Sequence, residues 1–191
     1  MAKLYVLQCG RTQWADDRRL ESVAGVPLSE EDSVQVHLRA KDLFDQDIRA
    51  VYAAACESDG QTAQIVSECL AVKWRRKQDL HELNFGLWQG LLVQEIKQRY
   101  GKIYRQWREG LVAPPGGEAF GAAMSRIGEA TEKILKRHRG QNVLFVLQPI
   151  VAALLKCRIN GLDASLVWEN VDQTGDFYSY DVDQGIPGEN V

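Results

Sequence analysis

Apolar positions recur along the chain with two different periods. Leu4 to Leu7 is a short apolar run that closes at Gly10, which predicts a buried strand entering a turn. Ser29 followed by Asp32 has the pattern of a helix N-terminus, and Val34, Leu38 and Leu43 continue it at roughly helical spacing. Ala50 to Ala54 predicts a second strand, and Gln61 to Leu70 a helix with Ile65, Val66, Cys69 and Leu70 on or near one face. Residues 80 to 90 read as a loop with two glycines. A helix is predicted over Leu92 to Trp107, broken near Gly101. After the turn signal Ala113-Pro114-Pro115-Gly116-Gly117, another is predicted from Glu118 to His138. Val143 to Leu147 is a further apolar strand, and Pro149 suits the first turn of a helix reaching about Arg158. Phe177 to Val182 closes the set as a last strand. Strands alternating with helices give an α/β class, a three-layer sandwich with a mostly parallel sheet and helices on both faces. In such sheets ligands bind beyond the carboxyl ends of the strands, here Gln8-Cys9-Gly10, Ala54 to Ser58, and Gln148.

Composition narrows the functions available. The 191 residues, 45% of them hydrophobic, suffice for one domain spanning 1–191 with a real core. With 23 Lys and Arg against 26 Asp and Glu, the net charge is −3, and the pI is near 5.7. A generally basic nucleic-acid binder is excluded. No Lys or Arg follows Leu162, whereas seven acids do, so an acidic, solvated tail is expected from about residue 182. The N-terminus lacks a signal-peptide pattern and no run reaches the roughly 18 apolar residues of a membrane span. Cys9, Cys56, Cys69 and Cys157 are scattered without a CxxC pair, so neither a disulfide framework nor a zinc site is expected, and a reducing cytoplasmic location is the default. No cofactor, metal, nucleic acid or membrane is expected as a partner. His37, His81 and His138 have no metal-ligand spacing.

Several strings then carry chemistry together. They are Leu4-Tyr5-Val6-Leu7-Gln8-Cys9-Gly10-Arg11-Thr12-Gln13-Trp14, Pro27-Leu28-Ser29, Gln61-Thr62-Ala63, Leu80-His81-Glu82-Leu83-Asn84-Phe85-Gly86-Leu87-Trp88-Gln89-Gly90, Pro115-Gly116-Gly117-Glu118, and Val143 to Leu155. On these strings, nearly the whole chain resembles the histidine phosphatase superfamily, which includes cofactor-dependent phosphoglycerate mutases. The resemblance implies a phosphoglycerate mutase-like fold. It also implies a site at four altered positions. The nucleophilic histidine falls on Cys9, the arginine before it on Gln8, the second arginine on Ser58, and the second histidine on Gln148. Only Glu82 stands where the resemblance puts the acid/base carboxylate.

The family reaction attacks phosphorus with a neutral imidazole nitrogen while cationic groups hold the phosphoryl oxygens. Gln8, Ser58 and Gln148 donate hydrogen bonds but carry no charge. Losing one such donor typically costs about 10²–10³ in rate. The expectation is therefore a pseudoenzyme that binds a protein partner or a small, anionic ligand in the altered cleft. The candidate ligand-binding residues are Gly10, Arg11, Thr12, Arg18 and Arg19. The rival is rewired phosphatase or phosphomutase chemistry with Cys9 as nucleophile and Glu82 as acid/base, which needs a low-pKa thiol. Cys9 as a small buried filler of the histidine's space is the simpler reading. The Cys69–Arg75 spacing matches a cysteine-phosphatase loop only in length, because the intervening Leu-Ala-Val-Lys-Trp reads as a helix end entering a strand.

Overall fold

A computed structural model describes residues 2–22, 25–172 and 175–182. The acidic tail expected from about residue 182 lies outside them, Val182 apart. The three central strands are apolar on both faces. They are β1 (Lys3–Gln8), β2 (Ile48–Ala53) and β4 (Asn142–Leu147). A strand covered by helices on both sides requires this pattern. Together with β3 (Trp74–Arg76) and β5 (Phe177–Asp181) they form one sheet in the order β3-β2-β4-β1-β5. All pairings are parallel except β5, which runs antiparallel to β1 with Leu4 opposite Tyr180.

Alternation along these strands sorts the core into two layers. Leu4, Val6, Tyr52, Val143 and Phe145 face α5 (Phe120–Arg137) and α6 (Pro149–Ile159). Tyr5, Leu7, Val51, Leu144 and Val146 face α2 (Glu30–Lys41) and α3 (Glu57–Leu70). A third, aromatic core lies where Phe85 and Trp88 pack on α4 (Val93–Arg108) through Trp107, with Trp88 and Trp107 edge-to-face at 5.5 Å. Trp88 and Trp107 are thus core residues, while Trp14, Trp74 and Trp168 are half-buried.

The structure corrects several expected boundaries. The helix expected from Gln61 starts at Glu57, because Cys56 takes the extended cap conformation and the acids Glu57 and Asp59 sit in the favourable first turn. The break expected near Gly101 is found one residue earlier, as non-helical backbone at Tyr100 (φ −128°, ψ 29°) that kinks α4. Two one-turn helices, α1 (Gln13–Asp16) and α7 (Val167–Asn170), have no periodic signal in the sequence. The basic run Lys73 to Lys77 is edge strand β3 and its flanks, with Arg75 and Arg76 exposed, a charge pattern that discourages edge-to-edge pairing. Among the described residues no helix is long and apolar enough to cross a membrane.

Candidate functional site

The carboxyl ends of β1, β2 and β4 meet at one end of the sheet. Gln8 is the last residue of β1, and Cys9 donates its backbone N–H to Leu147 O at 2.8 Å, which fixes the thiol beside the end of β4. The turn at Gly10 depends on its lack of a side chain. A Cβ there would lie 2.9 Å from Leu28 Cδ2 and 3.0 Å from Val36 Cγ2. Gly10 N donates to Thr62 Oγ1 (3.1 Å), and Thr62 donates on to Ser58 O (2.8 Å). Gln61 accepts from Leu28 N at 2.7 Å. The Gln61-Thr62 pair therefore ties the first loop to α3 and carries Ser58 into the same cleft. Gln148, the N-cap of α6, donates to Ser58 Oγ at 3.1 Å, and Gln8 donates to Asp172 O at 3.1 Å. Gln8, Cys9, Ser58 and Gln148 are all buried.

Glu82 reaches this cleft from the opposite loop. Its carboxylate accepts backbone N–H groups from Leu83 (2.6 Å), Ile150 (2.9 Å) and Val151 (3.0 Å). It thereby satisfies the first turn of α6, whose N-cap Gln148 makes no side-chain cap bond. Burial outweighs these donors and pushes the Glu82 carboxyl up to about 7, with the negative charge of Asp59 adding to the rise. The loop itself is clamped by Arg126. Its guanidinium binds Glu118 at 2.8 Å and donates to the carbonyls of Asp79 (2.9 Å) and His81 (3.0 Å). Gly86 (φ +53°) completes the clamp, since a Cβ there would sit 2.3 Å from Pro115 O.

A second buried carboxylate, Asp59, stands beside Ser58. The Cys56 thiol donates to its Oδ2, and Cys9 and Gln148 flank it. Burial raises the Asp59 carboxyl to about 6 against the lowering pull of these neighbours. Burial first, and then the charge of Asp59, push the Cys9 thiol well above its ordinary value, and the same two causes raise Cys56. Asp59 Oδ1 is buried without a hydrogen-bond partner. None of the ion pairs among the described residues involves Asp59, Glu82 or Glu21. The floor of the cleft thus joins two thiols, two carboxylates, two amides and a hydroxyl.

The fold has counterparts among known proteins. The model of the histidine phosphatase superfamily (branch 1) matches residues 4–186. The chain belongs to that superfamily. It is 26% identical over 170 residues to phosphoserine phosphatase 1 of Hydrogenobacter thermophilus, covering 88% of this chain and 81% of the relative. Among solved structures, YhfR of Bacillus stearothermophilus superposes with a TM-score of 0.91 at 26% identity, covering 97% of this chain and 93% of that one. The alpha-ribazole phosphatase of Shigella flexneri superposes at 0.84 with 25% identity, covering 95% and 91%.

Within this superfamily member, the remaining candidate residues are exposed or engaged in other contacts. Arg11 is exposed and paired with Asp16. Arg18 is exposed in a left-handed conformation (φ 58°). Arg19 donates to Gly90 O at 2.9 Å, which holds the first loop against the Glu82 loop. Thr12 caps α1 and donates to Glu21. His81 contacts the carbonyl of Glu82 through Nδ1, His37 is exposed, and His138 bonds Tyr52 and Gln141 far from the cleft. No group of three or more His, Cys, Asp or Glu side chains among the described residues is placed to hold a metal. Sequence reasoning missed Asp59 and Arg126, while Cys56 lies inside the Ala54 to Ser58 stretch marked as a strand's carboxyl end. Asp59 adjoins the aligned Ser58, but in the sequence nothing separates it from an ordinary helix-start acid.

Proposed function

We propose that this histidine-phosphatase-fold chain is a pseudoenzyme. Its cleft binds a small ligand or a protein partner and does not pass phosphate through a phosphohistidine. The observation that carries the reading is the charge of the cleft floor. Cys9, Gln8, Ser58 and Gln148 occupy the positions where a phosphoryl group needs an imidazole and guanidinium groups, and the charged side chains buried beside them are Asp59 and Glu82. A phosphomonoester dianion brought there meets like charge in a low-dielectric site, where repulsion is strongest. The test is steady-state hydrolysis of p-nitrophenyl phosphate, phosphoserine, alpha-ribazole phosphate and phosphoglycerate by the purified chain. The expected result is no turnover above the uncatalysed background. Turnover that disappears in Cys9→Ala or Glu82→Gln overturns the reading.

One observation favours a second reading, in which Cys9 and Glu82 run rewired phosphatase chemistry. A Glu82 carboxyl near 7 is matched to general acid–base work at neutral pH. The nucleophile weighs against it, because a thiol raised by burial and by an adjacent carboxylate is protonated at neutral pH. Iodoacetamide labelling of Cys9 between pH 6 and 9 separates the two. The pseudoenzyme reading expects slow labelling across the range, and rapid labelling at pH 7 supports the rewired enzyme.

A further inference from the structure

Away from the cleft, the outer side of α4 is set apart by its charge. The helix carries Lys97, Arg99, Lys102, Arg105 and Arg108 against a single acid, Glu95. Setting these six aside, the chain's 23 bases and 26 acids become 18 and 25, so a basic strip lies on an otherwise acidic molecule. All five cations are exposed, and none takes part in an ion pair among the described residues, whereas Arg11, Arg49 and Lys133 on other surfaces are each paired. Glu95 offers no counter-charge, because it turns back on the helix start and accepts from Leu92 N at 3.1 Å. Lys97 lies over the Tyr104 ring (5.5 Å) and Arg108 over the Trp168 ring (3.7 Å), contacts that position these two cations without neutralising them. The helix dipole accounts for Arg105 and Arg108 near the C-terminus, but not for Lys97, Arg99 and Lys102.

Arg99, Lys102, Arg105 and Arg108 follow one another at a spacing of three residues, and like charges at that spacing are neighbours on a helix surface and repel. A helix face that is merely solvated mixes signs, whereas this one keeps its self-repulsion. Ile103, one turn on from Arg99, and Leu111, whose N–H closes the helix on Gln106 O at 2.9 Å, are exposed beside the ladder. We propose that this face of α4 docks an acidic amphipathic helix of a partner protein, with carboxylates at the same three-residue spacing opposite the cation ladder and apolar side chains on Ile103 and Leu111. Complementary charge selects this occupant. A membrane surface fits less well, because the apolar side of α4 is spent on Trp88 and Trp107 and the cations wind around roughly half of the helix circumference. A single-stranded nucleic acid lacks rings to stack on, because Tyr100 and Tyr104 pack against Trp88. The proposal does not depend on the cleft and stands whether or not the chain turns over a phosphoester.

The test titrates the full chain with an alanine-based peptide of about 16 residues that carries glutamate at every third position and leucines beside them. Binding is followed by fluorescence anisotropy and by ¹H–¹⁵N correlation spectra. A counterpart with glutamine in place of glutamate, phosphatidylserine vesicles and single-stranded oligouridine are run in parallel. The expected result is saturable binding with a Kd on the order of 0.1 mM at low salt, weakening as ionic strength rises, with shifts centred on the amides of Arg99 to Leu111. The glutamine peptide is expected not to bind. Lys102→Glu combined with Arg105→Glu is expected to weaken binding at least tenfold, while Arg137→Glu, at the exposed end of α5, leaves it unchanged. Absence of saturable binding overturns the proposal, as do equal binding of the glutamine peptide, shifts centred away from α4, or unchanged binding in the double variant. Tighter binding of the vesicles or of oligouridine also overturns it, and so does self-association of the wild type that is lost in the double variant, which would make a second copy of this chain the occupant. The comparison of probes on the wild type decides the matter even if the double variant fails to fold.

Discussion

At the scale of single residues, Asp59 is the group whose behaviour departs most from its surroundings. A carboxylate buried among Cys9, Cys56, Ser58 and Gln148 has no cation to offset its desolvation, and such a burial costs several kcal/mol when the charge is present. Its carboxyl rises from 3.8 to about 6 in the folded chain, and that of Glu82 from 4.5 to about 7. The native state therefore holds more protons than the unfolded one between these values, and stability falls as pH rises through that window. The contribution is fully present below about pH 4 and is lost by about pH 8. Asp59→Asn removes the charge and keeps the shape. It is expected to stabilise the chain at pH 8 by about 1–3 kcal/mol and to change little at pH 4. Urea unfolding at both pH values checks this, and equal effects at the two pH values would refute it. None of this was legible in the sequence. The motif strings mark Gln8, Cys9, Ser58, Glu82 and Gln148 because fixed spacings place them. An aspartate one position past Ser58 looks like any helix-start acid until the packing of α3 against β2 and β4 shows it fully buried.

At the scale of elements, the site is held by one loop pressed onto one helix. Residues 78–90 carry Glu82 to the N-terminus of α6, and Arg126 on α5 pins that loop through Glu118 and two carbonyls. Here the sequence was readable in part. The alternation of apolar runs with helical stretches located β1, β2, β4, β5 and the helices α2 to α6, and the glycines at 86 and 90 marked the loop. The starts of α3 and α5 shifted by a few residues because cap conformations, not periodicity, set them. The short helix α1 is held by its Thr12 cap and α7 by packing Val167 on α6, and neither carries a periodic signal. Arg126 was missed because it lies on α5, 44 positions beyond Glu82, and no local pattern links the two. The loop's rigidity makes a sharp prediction. Gly86 is left-handed and its Cβ would overlap the carbonyl of Pro115, so Gly86→Ala is expected to cost about 2–4 kcal/mol. Gly101→Ala, where an added Cβ meets no neighbouring atom within 4 Å, is expected to cost nothing or to stabilise α4 slightly. Paired thermal unfolding curves measure the contrast.

At the scale of the whole molecule, the cores and the sheet order rest mainly on residues outside the cleft, with Cys9 the cleft residue that also packs in a core. Leu4, Val6, Val143 and Phe145 on one side, and Tyr5, Leu7, Leu144 and Val146 on the other, hold β1 against β4 whatever stands at positions 8, 9 and 148. The scaffold can therefore accept other residues in its cleft, and under the proposed non-catalytic reading phosphatase activity is expected to be partly restorable. The substitutions Gln8→Arg, Cys9→His, Ser58→Arg and Gln148→His put back an imidazole nucleophile, a second imidazole and two guanidinium groups. Taken alone they face an obstacle, because Asp59 is adjacent to Ser58 in sequence and would hold the new guanidinium in an internal ion pair. The four-fold variant is expected to hydrolyse p-nitrophenyl phosphate only weakly. Adding Asp59→Ala frees that guanidinium for the phosphoryl oxygens and removes a like charge from the site. A further gain of at least about tenfold is expected, in line with the contribution of one well-placed donor. Acid-labile ³²P incorporation into the five-fold variant, absent from its Cys9 counterpart, would show that the recovered turnover runs through the restored histidine. Equal rates with and without Asp59→Ala would mean that the carboxylate does not oppose phosphate, and the electrostatic account of the cleft would then be wrong.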